Sequence, residues 1–98
     1  GIEVYYNSDK TTNDQQLAQM IQESLINETG AKNRGIHSDN GLVVTRETTM
    51  PAVLVETAFI SNDDELDLIM SDDYQNKVVK GIVVGIEEFL NELDRNPE

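Results

Sequence analysis

One short apolar run limits the folds open to this chain: residues 52–55 read AVLV and are followed directly by Glu56. Four apolar residues behind Pro51 predict a strand buried on both faces, as in a sheet covered by helices. A carboxylate at the end of such a strand is costly to leave unpaired. In open α/β sheets, that end of the strand is also where ligands bind. Glu56 is therefore either a functional group or a structural one that pairs with a buried arginine or caps a helix.

Hydrophobic periodicity places the remaining elements and predicts an α/β layer structure. The predicted strands are 2–6, about 42–45 and 52–55, and the predicted helices lie near 13–29, 62–70 and 72–94. The link between the last two strands is too short for a parallel crossover, which needs a dozen or more residues. We therefore predict a mixed sheet flanked by helices.

The last predicted helix, 72–94, carries a long apolar stripe and two interior glycines, Gly81 and Gly85. Ser71 stands where a helix N-cap is expected. Each glycine lowers the helix propensity by about 1 kcal/mol relative to alanine. A close approach of the helix backbone to its neighbour would justify them, and we predict that this helix packs on the sheet.

Residues 31–39 read as a polar connection that holds Arg34 and the only histidine, His37. A lone histidine with no cysteine cannot supply the three ligands of a catalytic zinc site, so His37 is expected to be a surface residue. Arg34 either forms a structural ion pair or faces a cleft. Six acidic residues in 63–73 are explained by two successive helix N-termini, since the spacing of a calcium-binding EF-hand is absent.

Composition narrows the classes of function. The chain has 98 residues and a net charge of −12, from 19 acidic and 7 basic residues. This charge argues against a nucleic-acid partner, which requires a basic face, and against adhesion to an anionic membrane. No apolar run reaches the roughly 20 residues that span a bilayer. The length predicts one domain over 1–95, followed by a short tail at 96–98.

Three stretches together resemble the zinc-dependent N-acetylmuramoyl-L-alanine amidases of the Amidase_3 type. The residues in register with the family pattern near its end are Pro51, Ala52, Leu54, Val55, Glu56, Phe59, Ser61 and Asn62. Ala58 stands where glycine is more usual. GIEVYY at 1–6 is similar to the family strand that follows its second zinc histidine, and NRGI at 33–36 resembles its N-R-G-V turn. The whole chain aligns with the C-terminal half of the family's catalytic domain.

The resemblance implies hydrolysis of the amide bond between N-acetylmuramic acid and the L-alanine of the peptidoglycan stem peptide. It makes Glu56 the general base, at the carboxyl end of a central strand and facing the cleft. The family's zinc ligands, two histidines and a glutamate, would lie upstream of Gly1, so this chain alone is expected to bind no zinc and to be inactive. Peptidoglycan is the implied partner, and the implied location is secreted, in the cell wall or periplasm. The alternative is a noncatalytic module on the same fold that binds the cell wall or another protein.

Overall fold

The computed structural model describes residues 1–57 and 63–95. Its elements, in chain order, are β1 (Ile2–Tyr6), α1 (Asp14–Thr29), β2 (Asn33–Ser38), α2 (Val43–Arg46), β3 (Leu54–Glu56), α3 (Asp63–Met70) and α4 (Asp72–Arg95). The three strands form one sheet of order β2-β1-β3, in which β1 runs parallel to β2 and antiparallel to β3. The predicted α/β fold with a mixed sheet flanked by helices is confirmed.

The core lies between β1 and α1. Ile2 and Val4 are fully buried on one face of β1 and pack against the apolar stripe of α1, which includes Leu17, Ile21 and Leu25. Burial of each such side chain stabilises the fold by about 1.5–3 kcal/mol. Because side chains alternate along a strand, the residues between them point to the opposite face of the sheet.

Helix α4 packs chiefly against α1, so the prediction that it packs on the sheet is wrong. A Cβ at Gly85 would lie 2.8 Å from the Cα of Ile21, and one at Gly81 would lie 2.9 Å from Leu25 Cδ2. The hydroxyl of Ser24 donates a 2.7 Å hydrogen bond to the carbonyl oxygen of Gly81 at the same contact. The glycines therefore allow two helix backbones to approach each other, and the sheet is not involved.

Two sequence predictions on the middle of the chain are wrong. Residues 33–38, predicted to be a connection, form strand β2. This strand is held by backbone pairing with the parallel β1, and its sequence has no apolar pattern that would predict a strand. Residues 42–45, predicted to be a strand, enter the short helix α2, where the amide of Arg46 donates to the carbonyl of Leu42 over 2.9 Å. Val43 and Val44 are 58% and 62% exposed, so their apolar character does not indicate burial here.

Strand β3 begins at Leu54, two residues later than predicted, and includes Glu56. This strand is half-buried and lies at the edge of the sheet formed by the described strands. Among these strands, the prediction of a central strand buried on both faces is therefore wrong. The predicted cap of α4 is confirmed, since the amide of Tyr74 donates to Ser71 Oγ over 3.2 Å. The predictions for Phe59, Ile60, Ser61, Asn62 and the tail at 96–98 lie outside the described residues.

Candidate active site

The face of the sheet opposite α1 carries a polar cluster. Residues directly opposite each other on neighbouring strands share one face. Glu3 of β1 stands opposite Glu56 of β3, and Tyr5 stands opposite Leu54 on one side and His37 of β2 on the other. The register of three strands therefore brings two carboxyl groups, a phenol and an imidazole onto the same surface.

Glu3 lies at the centre of this cluster, where it accepts one hydrogen bond and contacts the imidazole of His37. The Tyr5 hydroxyl donates to Oε1 over 2.8 Å, and His37 Nε2 lies 3.2 Å from Oε2. The same Nε2 is 2.8 Å from the carbonyl oxygen of Arg34. Both neighbours are acceptors, so Nε2 must carry a proton whether the ring is neutral or charged. The rings of Tyr5 and His37 also stack, with centroids 5.5 Å apart and planes tilted by 39°.

A bulge in β2 brings the Arg34 carbonyl to His37. Between paired positions, β1 has one residue where β2 has two, Arg34 and Gly35. Gly35 adopts φ +83°, a conformation that favours glycine. Asn33 Oδ1 secures the bulge by accepting 2.8 Å hydrogen bonds from the Gly35 amide and from Gln22 Nε2 of α1. The N-R-G sequence thus has a structural role, in which Arg34 contributes its main-chain carbonyl while its side chain is exposed.

Glu56 borders a small pocket of about 160 Å³ on this face. The lining residues are Tyr5, Asp39, Leu42, Leu54 and Glu56. A larger pocket of about 590 Å³ lies between the end of β1 and the start of α1, and neither Glu3 nor Glu56 lines it. Glu56 and Tyr5 therefore border the smaller pocket, while Glu3 stands beside them on the same face of the sheet.

The surroundings of Glu56 disfavour its charge. Burial raises the pKa of Glu56, because the ionised carboxylate loses water, and a hydrogen bond to Glu3 together with the negative charge of Glu3 raises it further. The pKa of the Tyr5 hydroxyl is also raised, chiefly because it donates to Glu3, with smaller effects from burial and from nearby carboxylates, including Asp39. A carboxyl group with a raised pKa beside a pocket is suited to general acid–base chemistry.

Two side chains from elsewhere in the fold fix the segments on either side of β3. The buried Tyr74 of α4 donates a 2.7 Å hydrogen bond to the carbonyl of Thr57, directly after Glu56. Lys10 Nζ donates to the carbonyls of Thr45, at 2.7 Å, and Met50, at 3.0 Å, ahead of the strand. These bonds hold the main chain that carries Glu56 at both ends.

The residues that the structure describes do not fit a zinc ion. Over residues 1–57 and 63–95, no three side chains of histidine, cysteine, aspartate or glutamate are grouped so that they could hold a metal. His37 is committed through Nε2 to Glu3 and to a carbonyl. A zinc site in the intact protein would need ligands from outside this chain.

The sequence points to Glu56 as a candidate, but it does not predict which side chains face it. Glu3 and Tyr5 alternate with the buried Ile2 and Val4, and this alternation does predict that they share the second face of β1. His37 could not be assigned to that face, because β2 was not recognised as a strand.

In the part of the chain that the structure describes, no helix is both long enough and apolar enough to cross a membrane.

Comparison with known proteins gives the family. The N-acetylmuramoyl-L-alanine amidase family Amidase_3 matches residues 1–88. The chain is 34% identical over 90 residues to the amidase LytC of Bacillus subtilis, covering 91% of this chain and 18% of LytC.

Solved structures agree. An N-acetylmuramoyl-L-alanine amidase from Clostridium difficile 630 matches with TM-score 0.86 and 34% identity, over 93% of this chain and 48% of that one. The catalytic domain of CwlV from Bacillus (Paenibacillus) polymyxa var. colistinus matches with TM-score 0.81 and 37% identity, over 93% and 49%. The chain spans less than half the length of the curated relatives it matches. The chain belongs to the N-acetylmuramoyl-L-alanine amidase family.

Proposed function

We propose that this chain is the C-terminal part of the catalytic domain of a peptidoglycan hydrolase. The proposed reaction is cleavage of the amide bond between N-acetylmuramic acid and the L-alanine of the stem peptide. The observation that carries the proposal is the position of Glu56: in a chain of the amidase family, it borders a pocket on the polar face of the sheet and has a raised pKa.

Glu56 is proposed to be the general base. Its carboxylate takes a proton from the attacking water and later gives it to the leaving amine of L-alanine, so the group ends the cycle ionised, as it began. A raised pKa makes the carboxylate a stronger base, provided that it is still ionised at the working pH. Family resemblance implies a zinc ion held by two histidines and a glutamate upstream of Gly1. The steps assigned to this chain's residues concern proton transfer only.

Peptidoglycan is the proposed partner, and the proposed place of action is the cell wall or periplasm, after secretion. Relatives named as probable cell wall amidases in two Staphylococcus species support this assignment. The net charge of −12 supports a partner other than nucleic acid or an anionic membrane surface.

The test of this function is a bond-specific digestion. The complete protein that contains this chain is incubated with purified peptidoglycan, and new alanine amino termini and new reducing ends are measured in the same digest. We expect alanine amino termini to increase while reducing ends stay constant, and we expect the 98-residue chain alone to release neither. Binding to the wall without any bond cleavage would contradict the proposal and support the noncatalytic module.

A further inference from the structure

We propose that Glu3 is a positioning residue for Glu56: the two carboxyl groups share one proton in a hydrogen bond, and Tyr5 with His37 fixes the orientation of the Glu3 side chain. The inference deepens the proposed function, because it assigns the group that sets the state of the base. It rests on strand register and hydrogen bonds on the polar face of the sheet.

Backbone pairing fixes the two carboxyl groups in place. Glu3 and Glu56 are direct cross-strand partners, and in antiparallel strands such partners have Cβ atoms about 4.5–5.5 Å apart. The pairs Val4–Val55 and Tyr5–Leu54 continue the same register. Since a slip of one residue would turn Val55 instead of Glu56 to this face, the core contacts of the strands also fix the carboxyl pair.

The environments of the two carboxyl groups are unequal. Glu3 has a side chain that is only 10% exposed, yet it accepts a hydrogen bond from Tyr5 and has the His37 Nε2–H beside it. Glu56 has its pKa raised by burial and by the charge of Glu3. The nearby carboxyl group of Glu3 makes ionisation of Glu56 less favourable, so Glu56 takes up a proton toward Glu3 more readily than a free glutamate does.

Few other titratable groups face the pair in the described residues. Tyr5 lies beside it on β1, His37 lies on β2, and Asp39 follows β2 and lines the same pocket. The rest of the pocket wall is apolar. It consists of Leu54 of β3 and of Leu42, which directly precedes α2. The Tyr5 hydroxyl donates to Glu3, His37 Nε2 lies 3.2 Å from Glu3 Oε2, and Asp39 adds only negative charge. The arrangement therefore fixes Glu3 beside a Glu56 that takes up a proton readily.

The consequence for the reaction is a stronger base in a fixed orientation. When the pair has lost its shared proton, Glu56 accepts the proton of the attacking water and regains the hydrogen bond to Glu3. It then gives that proton to the leaving amine, while Glu3 undergoes no net change. Glu3 thus acts through Glu56 and touches neither water nor substrate.

A titration of the 98-residue chain tests the coupling without any activity. Carboxyl ¹³C NMR follows the midpoint of Glu56 in the unaltered chain, in Glu3→Gln, and in Glu88→Gln, which removes an exposed carboxylate of α4 as a control. We expect the Glu56 midpoint to move to lower pH in Glu3→Gln and to stay in place in Glu88→Gln. An unchanged midpoint in Glu3→Gln overturns the inference.

Glu3→Asp keeps the experiment decisive if Glu3→Gln fails to fold. It retains a carboxylate but withdraws it by one methylene, so the Glu56 midpoint should move in the same direction by less. No movement in this folded variant also overturns the inference.

A pH profile in the complete protein separates positioning from a purely structural role. We expect Glu3→Gln to shift the acid limb of kcat/KM for muropeptide hydrolysis to lower pH and to lower its plateau, by less than Glu56→Gln does. A structural role would lower the rate at every pH and leave the limb in place, which overturns the inference. If Glu56→Gln remained fully active, the proposed function would fail, while the NMR titration would still decide the coupling.

Discussion

Replacing Gly85 with alanine tests the close contact between α1 and α4. At this position a Cβ would lie 2.8 Å from the Cα of Ile21, 3.1 Å from its Cγ1 and 3.2 Å from its main-chain nitrogen. Real Cβ atoms essentially never approach closer than 3.0 Å and ordinary contact begins near 3.4 Å, so one of the two helix backbones must move away from the other. Two of the three obstacles are backbone atoms, which no change of rotamer can move aside.

Two opposing terms set the magnitude. Alanine gains about 1 kcal/mol of helix propensity over glycine in a helix interior. Overpacking of a well-filled contact costs about 1–3 kcal/mol, and the upper part of that range applies where backbone must move. We therefore expect Gly85→Ala to lower the free energy of unfolding by about 1–2 kcal/mol. For a chain of this size each kcal/mol corresponds to a fall in Tm of about 4–8 °C.

Urea denaturation followed by circular dichroism measures this change. Asn91→Ala is the matched control, because Asn91 is exposed on the same helix and its replacement changes only propensity. The control should raise the free energy of unfolding by less than about 0.7 kcal/mol. If Gly85→Ala raised stability by the full propensity gain, the close helix contact described here would be refuted.

Three further predictions concern charge and metal. Lys10→Met should lower the free energy of unfolding by about 3–5 kcal/mol in urea denaturation, because it leaves the buried Asp14 carboxylate without its 2.9 Å partner. The control Lys77→Met breaks an exposed pair and should cost less than about 1 kcal/mol. Equal effects of the two substitutions would contradict this prediction. Because the folded pKa of Glu56 is raised, the stability of the unaltered chain should fall as pH rises from the ordinary glutamate pKa through the folded value, and Glu56→Gln should remove that fall; an unchanged pH dependence would contradict the shift. Calorimetry should detect no submicromolar, stoichiometric zinc site in the 98-residue chain, since one histidine and dispersed carboxylates cannot supply a catalytic ligand set.

The long periodic segments were predictable from sequence, and the short polar ones were not. Helices α1 and α4 are 16 and 24 residues long, and each carries an apolar stripe with the period of an α-helix. A stripe of this length is buried on one side only if the segment is helical. Strand β2 is mostly exposed and is defined by its pairing with β1 and by the bulge at Gly35, which are tertiary facts. The apolar Val43 and Val44 mimic a strand while facing solvent in α2.

The same distinction holds for the site. Glu56 stands out as a candidate in the sequence because a carboxylate directly after an apolar run is locally unusual, and because the surrounding residues resemble a family pattern. Its pairing with Glu3 depends on the register between two strands that are about 50 residues apart in the chain. That register cannot be read from a single sequence. The donors on Glu3 come from two strands, one of which was not recognised.

The most direct test of the central claim is Glu56→Gln in the complete protein, with Tm and muropeptide hydrolysis measured on the same sample. The substitution keeps the shape of the side chain and removes the proton acceptor. If Glu56 is the general base, hydrolysis should fall by about 10²–10⁴-fold or more while the Tm at neutral pH does not decrease. If Glu56 were instead one member of a buried structural ion pair, stability should fall by about 3–5 kcal/mol while each folded molecule stays active. A destabilised but fully active variant would contradict the catalytic assignment.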